Sequence, residues 1–311
     1  MRAATVNAKT GIYAILGDPV SHSMSPVIMN SAFDRLGMDE VFLALRTGVE
    51  TFPQVMDTLR MLELKGYVFT MPVKEAALAK MDRLSEEAEL IGAVNCAVFR
   101  DGVMTGYNTD SLGFWSAVQE RGGSSETVET MFLLGAGGFA RAAAAQAALQ
   151  GVRRIVVANK RGHTAFMESF RQFLQRLARR CPETAVTVLD WDPALWMPEL
   201  PRCQLVVNAT PNGMKNVGDL DEIFPWEAVA PGTMFFDAIY EPQVTRFLQR
   251  AETLGMPTVR GLDLLAHQGV CSFRHWTGVS VTAEQMRQDV LAFWASHTKP
   301  DAILKEHTGG Q

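Results

Sequence analysis

Four short segments before residue 115 carry polar side chains at places where strands are predicted to end. They are SHSMSP, VKE, IGAVNC and GYNTDSLGF, which contain Ser23 and Ser25, Lys74, Asn95 and Asp110 in that order. In open α/β sheets, strand ends form the crevice in which ligands bind. Hydroxyl and amide groups suit a small, polyhydroxylated carboxylic acid, and a lysine beside an aspartate is a natural pair for proton transfer. We therefore predict that these side chains form one polar site.

Each of these residues also has a purely structural interpretation. Ser25 and Asp110 lie where N-cap residues occur, and Asn95 inside an apolar strand would need partners from nearby backbone. Lys74 is predicted in the first turn of a helix over residues 74–84. A cation there faces the positive end of the helix dipole, which typically costs about 0.3–1 kcal/mol. This cost favours a chemical role for Lys74 over a surface role.

A glycine-rich turn follows a predicted buried strand in the segment MFLLGAGGFARA. Gly135, Gly137 and Ala140 fit the spacing G-x-G-x-x-[G/A] that binds the pyrophosphate of dinucleotides. Gly135 allows the tight turn, Gly137 lets the backbone approach the pyrophosphate, and Ala140 permits close packing of the helix on the strand. Ala136 and Gly138 complete the turn at the start of a helix, whose amides can bind an anion. We predict a dinucleotide site here; the alternative is a structural glycine turn.

The next predicted strand, RIVVANK, ends about twenty residues after the turn, where the ribose of a dinucleotide is recognised. An acidic residue at that place favours NAD, but this chain has Asn159, Lys160 and Arg161. Positive groups suit a 2′-phosphate, so the sequence favours NADP, with NAD as the alternative cofactor. The structural interpretation of Lys160 and Arg161 is a solvated loop.

Predicted strands and helices alternate through most of the chain, which indicates an α/β fold with helices on both faces of a sheet. The segment SPVIMNSAFDRLG predicts a helix with Ser25 as N-cap, Pro26 at the first helical position and Gly37 as its end. The DG pair at 101–102 predicts a hairpin turn. The polar segment RGGSSETVET, residues 121–130, is the clearest break between domains.

Composition excludes several classes of protein. The 311 residues are 47% hydrophobic and 20% charged, with a net charge of −5 at pH 7. This is ordinary globular composition, and without a basic tract it gives no reason to expect nucleic acid as a partner. No apolar run approaches the roughly 20 residues that span a bilayer, and the N-terminus lacks a signal-peptide core, so we expect a cytoplasmic protein with no membrane partner. The cysteines and histidines match no metal-ligand spacing, so we expect no metal.

Taken together, these segments resemble the shikimate dehydrogenase family, including its quinate/shikimate branch. The resemblance runs over roughly residues 11 to 295 and rests on GDPVSHSMSP, TMPVKE, IGAVN, GYNTDSLGF, LLGAGGFARA, VVNATPNGM, YEPQVT and GLDLLAHQGVCSFRHWTG, in the family's order. It implies an N-terminal α/β substrate domain with a mixed, mainly parallel sheet, followed by a Rossmann-type NAD(P)-binding domain. We accordingly expect a substrate domain at 1–110, a nucleotide domain at 111–262, and helices in 263–311 that return to the substrate domain.

The resemblance also implies a role for each site residue. Lys74 and Asp110 correspond to the catalytic pair that hydrogen-bonds the hydroxyl or carbonyl group being transformed. The implied substrate contacts are Ser23 and Ser25 for the carboxylate, Thr70, Asn95 and Gln268 for the hydroxyl groups, and Tyr240 near the carboxylate. The implied cofactor contacts are Gly135, Ala136, Gly137, Gly138 and Ala140, then Asn159, Lys160 and Arg161, and finally Thr210 and Gly261.

The activity implied is the NADP-dependent, reversible reduction of 3-dehydroshikimate to shikimate by hydride transfer, in a monomer or homodimer. Val68 stands where the family often has an asparagine, and the TMP motif and the long segment 162–184 are nearer the quinate/shikimate branch. The alternative activity is therefore a dehydrogenase for quinate or a modified shikimate, with NAD or NADP as its cofactor. An alternative of another class is a ligand-sensing regulator that keeps the fold without turnover, because fold does not fix function.

Overall fold

The computed structural model describes residues 6–160 and 164–297, which form two six-stranded sheets with helices around them. The strands of the first sheet are β1 (Gly11–Gly17), β2 (Glu40–Arg46), β3 (Gly66–Phe69), β4 (Arg83–Leu84), β5 (Cys96–Arg100) and β6 (Val103–Tyr107). Those of the second sheet are β7 (Thr130–Leu134), β8 (Arg154–Asn159), β9 (Ala185–Asp190), β10 (Leu205–Asn208), β11 (Met234–Asp237) and β12 (Thr258–Val259).

The helices lie between and after these strands. They are α1 (Ser25–Leu36), α2 (Phe52–Met61), α3 (Glu86–Ile91), α4 (Thr109–Glu120), α5 (Gly138–Leu149), α6 (Thr164–Arg180), α7 (Pro193–Trp196), α8 (Arg246–Thr253), α9 (Gly261–Thr277) and α10 (Ala283–His297). Short 3₁₀ helices occur at Ala76–Lys80, Leu200–Arg202 and Trp226–Ala228. Within residues 6–160 and 164–297, none of the helices is long and apolar enough to cross a membrane.

The first sheet has the strand order β2-β1-β3-β5-β6-β4, and β5 runs antiparallel to both of its neighbours. The pairs β1–β2, β1–β3 and β4–β6 are parallel. The predicted hairpin between β5 and β6 is confirmed, because Asp101 and Gly102 both have positive φ, 53° and 77°. As a result, the carboxyl ends of β1, β3 and β6 and the amino end of β5 lie along one edge of the sheet.

The second sheet is parallel throughout, with the order β12-β11-β10-β7-β8-β9. Every residue of β7, β10 and β11 is buried, as is typical of a parallel sheet covered by helices on both faces. The order reverses between β7 and β10, which is the switch point where open parallel sheets bind ligands. This is a Rossmann-type sheet, and with the mixed first sheet it confirms the predicted fold class.

The last two helices pack on the first sheet although they follow the second sheet in sequence. The ring of Trp276 in α9 lies 5.0 Å from that of Tyr13 in β1, centroid to centroid, and Phe273 lies 5.3 Å from Phe33 in α1. Trp276 Nε1 also donates a hydrogen bond of 3.0 Å to the carbonyl oxygen of Ala97 in β5. Helix α9 therefore completes the core beneath the first sheet.

Helix α4 connects the two sheets. It begins directly after β6 of the first sheet, and its Phe114 lies 4.9 Å from Phe236 in β11 and 6.1 Å from Phe139 in α5, centroid to centroid. A side chain in the first turn of α4 is thus fixed with respect to both sheets.

The prediction for the start of α1 was wrong in one detail. Ser25 is the first helical residue and Pro26 the second, while Met24 is at the N-cap without a side-chain cap. The hydroxyl oxygen of Ser23 instead accepts a hydrogen bond of 3.2 Å from the Ser25 amide, so Ser23 satisfies an amide of the helix start. The end at Gly37 is confirmed, because this residue has φ 65° and lies in the left-handed region.

The prediction of a helix over residues 74–84 was also wrong. A turn at 71–75 precedes the 3₁₀ helix at 76–80, and the short strand β4 follows. The carbonyl oxygen of Lys74 accepts from the amide of Val94, at 2.9 Å, while the amide of Leu78 donates to Glu75 at 3.2 Å instead of to Lys74 as an α-helix would require. Because Lys74 is not in the first turn of an α-helix, the helix-dipole argument does not apply to it. The position of Lys74 is set by its backbone hydrogen bond to Val94, in the segment before β5.

Candidate active site

Lys74 and Asp110 meet at the edge of the first sheet. The ammonium nitrogen of Lys74 lies 2.6 Å from Oδ2 of Asp110, and both side chains are largely buried, with exposed fractions of 22% and 13%. Lys74 follows β3, and Asp110 lies in the first turn of α4 after β6. An ion pair at this depth is screened less than one on the surface, while its remaining exposure leaves it open to a ligand. The pair has the geometry that a proton-transfer site requires.

Asn95 fixes the other oxygen of this carboxylate. Its Nδ2 donates to Oδ1 of Asp110 at 2.8 Å, and its Oδ1 accepts from the amide and the hydroxyl of Thr109, at 2.6 and 3.1 Å. The Thr109 hydroxyl is also 3.0 Å from that of Ser272 in α9. A primary amide has two N–H donors, so one of them remains for a ligand. The predicted role of Asn95 as a substrate contact thus stays a proposal beside its observed role in orienting Asp110.

Asn108 is the residue that caps α4, and this leaves Asp110 available. Oδ1 of Asn108 accepts from the amide of Ser111 at 3.3 Å, and its Nδ2 donates to the carbonyl oxygen of Ala93 at 3.0 Å. Asn108, and not Asp110, is therefore the N-cap residue of α4. The carboxylate of Asp110 interacts with Lys74 and Asn95 instead.

The ends of β1 and β3 bring the predicted hydroxyl groups to the same edge. Thr70 follows β3, and a Cβ on Gly17 at the end of β1 would lie only 2.2 Å from Cγ2 of Thr70. Glycine at position 17 is therefore required for these two strand ends to approach. Ser23 is half-buried and Ser25 is buried, both just beyond β1.

Gln268 and Tyr240 come from further along the chain. A Cβ on Gly113 of α4 would lie 2.6 Å from the backbone nitrogen of Gln268, so this buried glutamine adjoins α4 three residues after Asp110. Its Nε2 donates to the carbonyl oxygen of Leu265 at 2.9 Å. Tyr240 is half-buried in the loop after β11, on the second sheet rather than among the first-sheet residues. Burial raises its pKa to about 12, so the phenol remains a hydrogen-bond donor at neutral pH.

The glycine turn after β7 has the form that a dinucleotide requires. Gly135 has φ 107°, and a Cβ there would lie 3.0 Å from both the carbonyl oxygen of Ala209 and Cγ2 of Thr210. A Cβ on Gly137, the N-cap of α5, would meet nothing within 4 Å among the described residues. Ala140 is fully buried where α5 packs on the sheet. The turn is therefore closely packed at Gly135 and open at Gly137, where the first amides of α5 are available. This arrangement fits a pyrophosphate.

Ala136 and Gly138 complete this turn, and Gly261 supports the neighbouring strand end. Gly261 is the first residue of α9, and a Cβ there would lie 2.3 Å from the carbonyl carbon of Ile239. Only glycine permits this approach of α9 to the end of β11. Gly261 thus shapes the edge of the second sheet at which the glycine turn lies.

Thr210 belongs to a buried polar network at the switch point. Its hydroxyl and amide donate to Oδ1 of Asn208 at 2.7 and 3.0 Å, and Nδ2 of Asn208 donates to Asp237 at 3.1 Å. The other oxygen of Asp237 accepts from the hydroxyl of Thr245 at 2.7 Å. Burial raises the pKa of the Asp237 carboxyl from 3.8 to about 6, despite these hydrogen bonds.

The raised pKa of Asp237 predicts a pH-dependent contribution to stability. Because the folded state binds this proton more tightly than the unfolded state, the contribution is largest at low pH and is lost as pH rises through about 6. We expect the free energy of unfolding of the wild type, relative to Asp237→Asn, to increase by about 1 kcal/mol between pH 7 and pH 5. Urea denaturation at the two pH values measures this difference. A difference between wild type and Asp237→Asn that is the same at pH 7 and pH 5 would contradict the assignment.

The second cofactor segment is partly visible. Asn159 ends β8, and the ammonium nitrogen of Lys160 lies 5.5 Å from the ring centroid of Trp191, a cation–π contact. Arg161 lies outside the described residues. A lysine at the end of β8, resting on an aromatic ring, can interact with a phosphate on the ribose.

Sequence reasoning missed four residues around this site. Thr109 and Ser272 orient Asn95, as described above, while Glu75 and Arg141 form an ion pair beside Lys74. Arg141 had a visible signal, because it is a charged residue inside the otherwise apolar helix segment FARAAAA. Thr109 and Ser272 are ordinary small polar residues, and nothing in the sequence connects them.

A parallel sheet with an open glycine turn, joined to a mixed sheet that carries a largely buried Lys–Asp pair, is typical of a nucleotide-dependent oxidoreductase. Residues 15–97 match the shikimate dehydrogenase substrate binding domain, and residues 261–291 match the shikimate 5′-dehydrogenase C-terminal domain. The chain is 34% identical to a shikimate dehydrogenase (NADP(+)) of Desulforamulus reducens, over 91% of this chain and 95% of that protein. It is 32% identical to a quinate/shikimate dehydrogenase of Escherichia coli, over 93% and 99%.

A solved structure is similar over nearly the whole chain. The shikimate 5-dehydrogenase from Listeria monocytogenes, in complex with shikimate and NAD, superposes with a TM-score of 0.85 at 31% identity, over 92% of this chain and 98% of that one. The chain belongs to the shikimate dehydrogenase family.

Proposed function

We propose that this chain catalyses the NADP-dependent, reversible reduction of 3-dehydroshikimate to shikimate. The observation that carries the proposal is the 2.6 Å contact between Lys74 and Asp110, on a unit joined through α4 to the glycine turn of the second sheet. The family relationship supplies the substrate class, and the named relatives act on shikimate or quinate. In this role the chain would serve the synthesis of aromatic amino acids in the cytoplasm, as a monomer or homodimer.

The chemistry divides between cofactor and protein. The nicotinamide supplies or accepts the hydride at the carbon that carries the reacting oxygen. In the direction of reduction, the ammonium of Lys74 hydrogen-bonds the carbonyl oxygen and gives it a proton, and Asp110 holds Lys74 in place and balances its charge. In the direction of oxidation, the same pair receives the hydroxyl proton. Asn95 keeps the carboxylate turned toward Lys74 in both directions.

The remaining polar residues are proposed to bind the substrate. Their hydroxyl, amide and phenol groups match the carboxylate and the hydroxyl groups of a polyhydroxylated acid. We assign the carboxylate to Ser23, Ser25 and Tyr240, and the hydroxyl groups to Thr70, Asn95 and Gln268. Val68 is buried in β3 and cannot supply the amide contact found in much of the family, so the site has fewer polar contacts there.

The two units are proposed to divide these tasks. A substrate unit of residues 1–110 with the returning helices from 263 carries the acid-binding residues, and a nucleotide unit of 111–262 carries the cofactor. The packing of α9 on the first sheet supports this division. We propose that substrate and cofactor meet in the cleft between the units, where relative motion is the usual expectation.

NADP rather than NAD is proposed as the preferred cofactor. Lys160 provides a cation at the end of β8, and the relative from D. reducens is named for NADP. NAD remains the alternative, because the L. monocytogenes protein is known in complex with NAD.

We expect Lys160→Ala to raise KM for NADP about tenfold while KM for NAD stays within about twofold. The lost interaction is a charge-assisted hydrogen bond to the 2′-phosphate, typically worth about 1.5–3 kcal/mol, and about 1.4 kcal/mol corresponds to a factor of ten. Steady-state kinetics with both cofactors at saturating shikimate give the comparison. Lys65→Ala, a lysine of the first sheet paired with Glu40, is the control and should change neither constant. An equal rise in KM for NADP and for NAD would contradict the proposed role of Lys160.

The proposed function is tested by kcat/KM for shikimate and for quinate with NADP and NAD, followed by the absorbance of the reduced nicotinamide. We expect shikimate with NADP to give the largest value. A quinate value well above the shikimate value would support the alternative that Val68 and the E. coli relative favour. Tight binding of shikimate without any turnover would instead support a ligand-sensing regulator, and it would overturn the proposal.

A further inference from the structure

An ion pair lies directly beside the proposed catalytic lysine and crosses between the two units. Glu75 is the residue after Lys74. Its Oε1 accepts a hydrogen bond from Nη2 of Arg141 in α5. The side chain of Arg141 is 3% exposed, whereas that of Glu75 is 49% exposed. A buried guanidinium thus connects the turn at 71–75, in the first unit, with the helix that begins at the glycine turn of the second.

The guanidinium of Arg141 is also close to the glycine turn itself. A Cβ built on Gly138, the first residue of α5, would lie 3.9 Å from Nη2 of Arg141. On the other side, Oε2 of Glu75 accepts from the hydroxyl of Ser169 in α6 at 3.4 Å. Glu75, the neighbour of Lys74 in sequence, therefore contacts both α5 and α6 of the nucleotide unit.

Packing does not explain an arginine at this position. Residues 142–148 of α5 are buried and nearly all alanine, so a small apolar side chain would fit the helix with less desolvation. Nε of Arg141 is buried and has no hydrogen-bond partner among the residues that the structure describes. Because only the Arg141 side chain of this pair is buried, the cost of desolvating its charge offsets much of the attraction to Glu75, which points to a role other than stability.

We propose that Glu75 and Arg141 form a positioning pair, which fixes the Lys74 turn against the cofactor helix and so fixes the Lys74 amine relative to the nicotinamide. The inference rests on the proposed function. Lys74 is held to the first unit through Val94 and Asp110, and Glu75 ties the same turn to the second unit. Hydride and proton transfer need both reactants in one geometry, and a displacement of about 1 Å can cost about a hundredfold in rate.

The test uses the full-length enzyme with the single substitutions Glu75→Gln and Arg141→Met and the double substitution. We expect each single change to lower kcat by about ten- to a hundredfold, with KM for shikimate and NADP within about threefold. The double variant should be no worse than the worse single variant, because the two residues act as one unit. Glu75→Asp keeps the charge and should retain at least about a third of kcat. Additive losses, or single variants within about twofold of wild type, would overturn the proposal.

Arg180 provides the control for a merely structural contact between the units. Its Nη2 donates to Oε2 of Glu86 at 3.3 Å, so it also joins α6 to the first unit, at the start of α3. Arg180→Met should leave kcat within about twofold of wild type. If Arg180→Met lowers kcat as much as Glu75→Gln, any contact between the units has the same effect and the proposal fails.

A crystal structure of Glu75→Gln gives a readout that needs no turnover. We expect the 71–75 turn to shift away from α5, and a turn in its wild-type position would overturn the proposal. A wild-type enzyme inactive with shikimate and NADP would refute the proposed function, whereas an active wild type with unaffected variants would refute the positioning pair alone.

Discussion

Lys74→Ala is expected to lower kcat by about a thousandfold and to change the binding of shikimate by less than about threefold. General acid–base groups typically contribute about 10²–10⁴ to the rate, and Lys74 is the proposed group that exchanges a proton with the reacting oxygen. Its interaction with that oxygen strengthens as charge develops in the transition state, so its loss falls mainly on kcat. Ser23, Ser25 and Thr70, which are proposed to bind the substrate, remain in place. Initial rates over a range of shikimate concentrations, with calorimetric binding of shikimate, measure the two effects.

Lys80→Ala is the matched control. Lys80 belongs to the same segment, has a similar exposed fraction of 23%, and is paired with a carboxylate, that of Asp57, at 2.7 Å. Its replacement should leave kcat near the wild-type value, because it lies at the far end of the 3₁₀ helix. A Lys74→Ala variant with near-normal kcat would refute the proposed mechanism.

Asp110→Asn should produce the second largest effect, a fall in kcat of about a hundredfold or more. The two oxygens of Asp110 each accept a hydrogen bond, one from Lys74 at 2.6 Å and one from Asn95 at 2.8 Å. An amide can accept at only one of these places, so a donor must face either the Lys74 ammonium or the Asn95 amide. The first arrangement repels the Lys74 ammonium and the second repels Asn95, and both leave the charge of Lys74 uncompensated. Steady-state kinetics at saturating shikimate and NADP measure the loss.

Asp82→Asn controls for the general effect of removing a paired carboxylate. Asp82 accepts from Arg60 at 2.6 Å and from the amide of Met104 at 2.7 Å, at an exposed position just before β4. We expect it to lower Tm slightly and to leave kcat unchanged. An Asp110→Asn enzyme that behaves like Asp82→Asn would show that the carboxylate has a structural role.

The fold was predictable because its signals are local. The apolar runs of β7, β10 and β11 are continuous, and the glycine spacing after β7 demands one backbone shape, which Gly135 adopts with φ 107°. Gly37 ended its helix as predicted for the same reason. Where a boundary depended on long-range pairing, the prediction failed. The amide of Val94 takes the carbonyl oxygen of Lys74, and no pattern within residues 74–84 reveals that competition.

The meeting of Lys74, Asn95 and Asp110 at one edge of the first sheet was predictable, but the pattern of their hydrogen bonds was not. Lys74, Asn95 and Asp110 follow or precede strands of one sheet, and the rule for strand ends brings them to one edge. That Asn108 caps α4 in place of Asp110 depends on its contact with Ala93, a residue far from it in sequence. The partnership of Glu75 with Arg141 spans 66 residues and two sheets, so it appears only in three dimensions.

The most direct test is a crystal structure with NADPH and shikimate, a pair that cannot react. The account predicts that Nζ of Lys74 lies about 2.6–3.2 Å from the hydroxyl oxygen on the carbon facing the nicotinamide, still paired with Asp110. That carbon should lie about 3–3.5 Å from C4 of the nicotinamide. Shikimate bound with Lys74 and Asp110 turned away from it, or a nicotinamide that does not reach the Lys74 edge, would contradict the account.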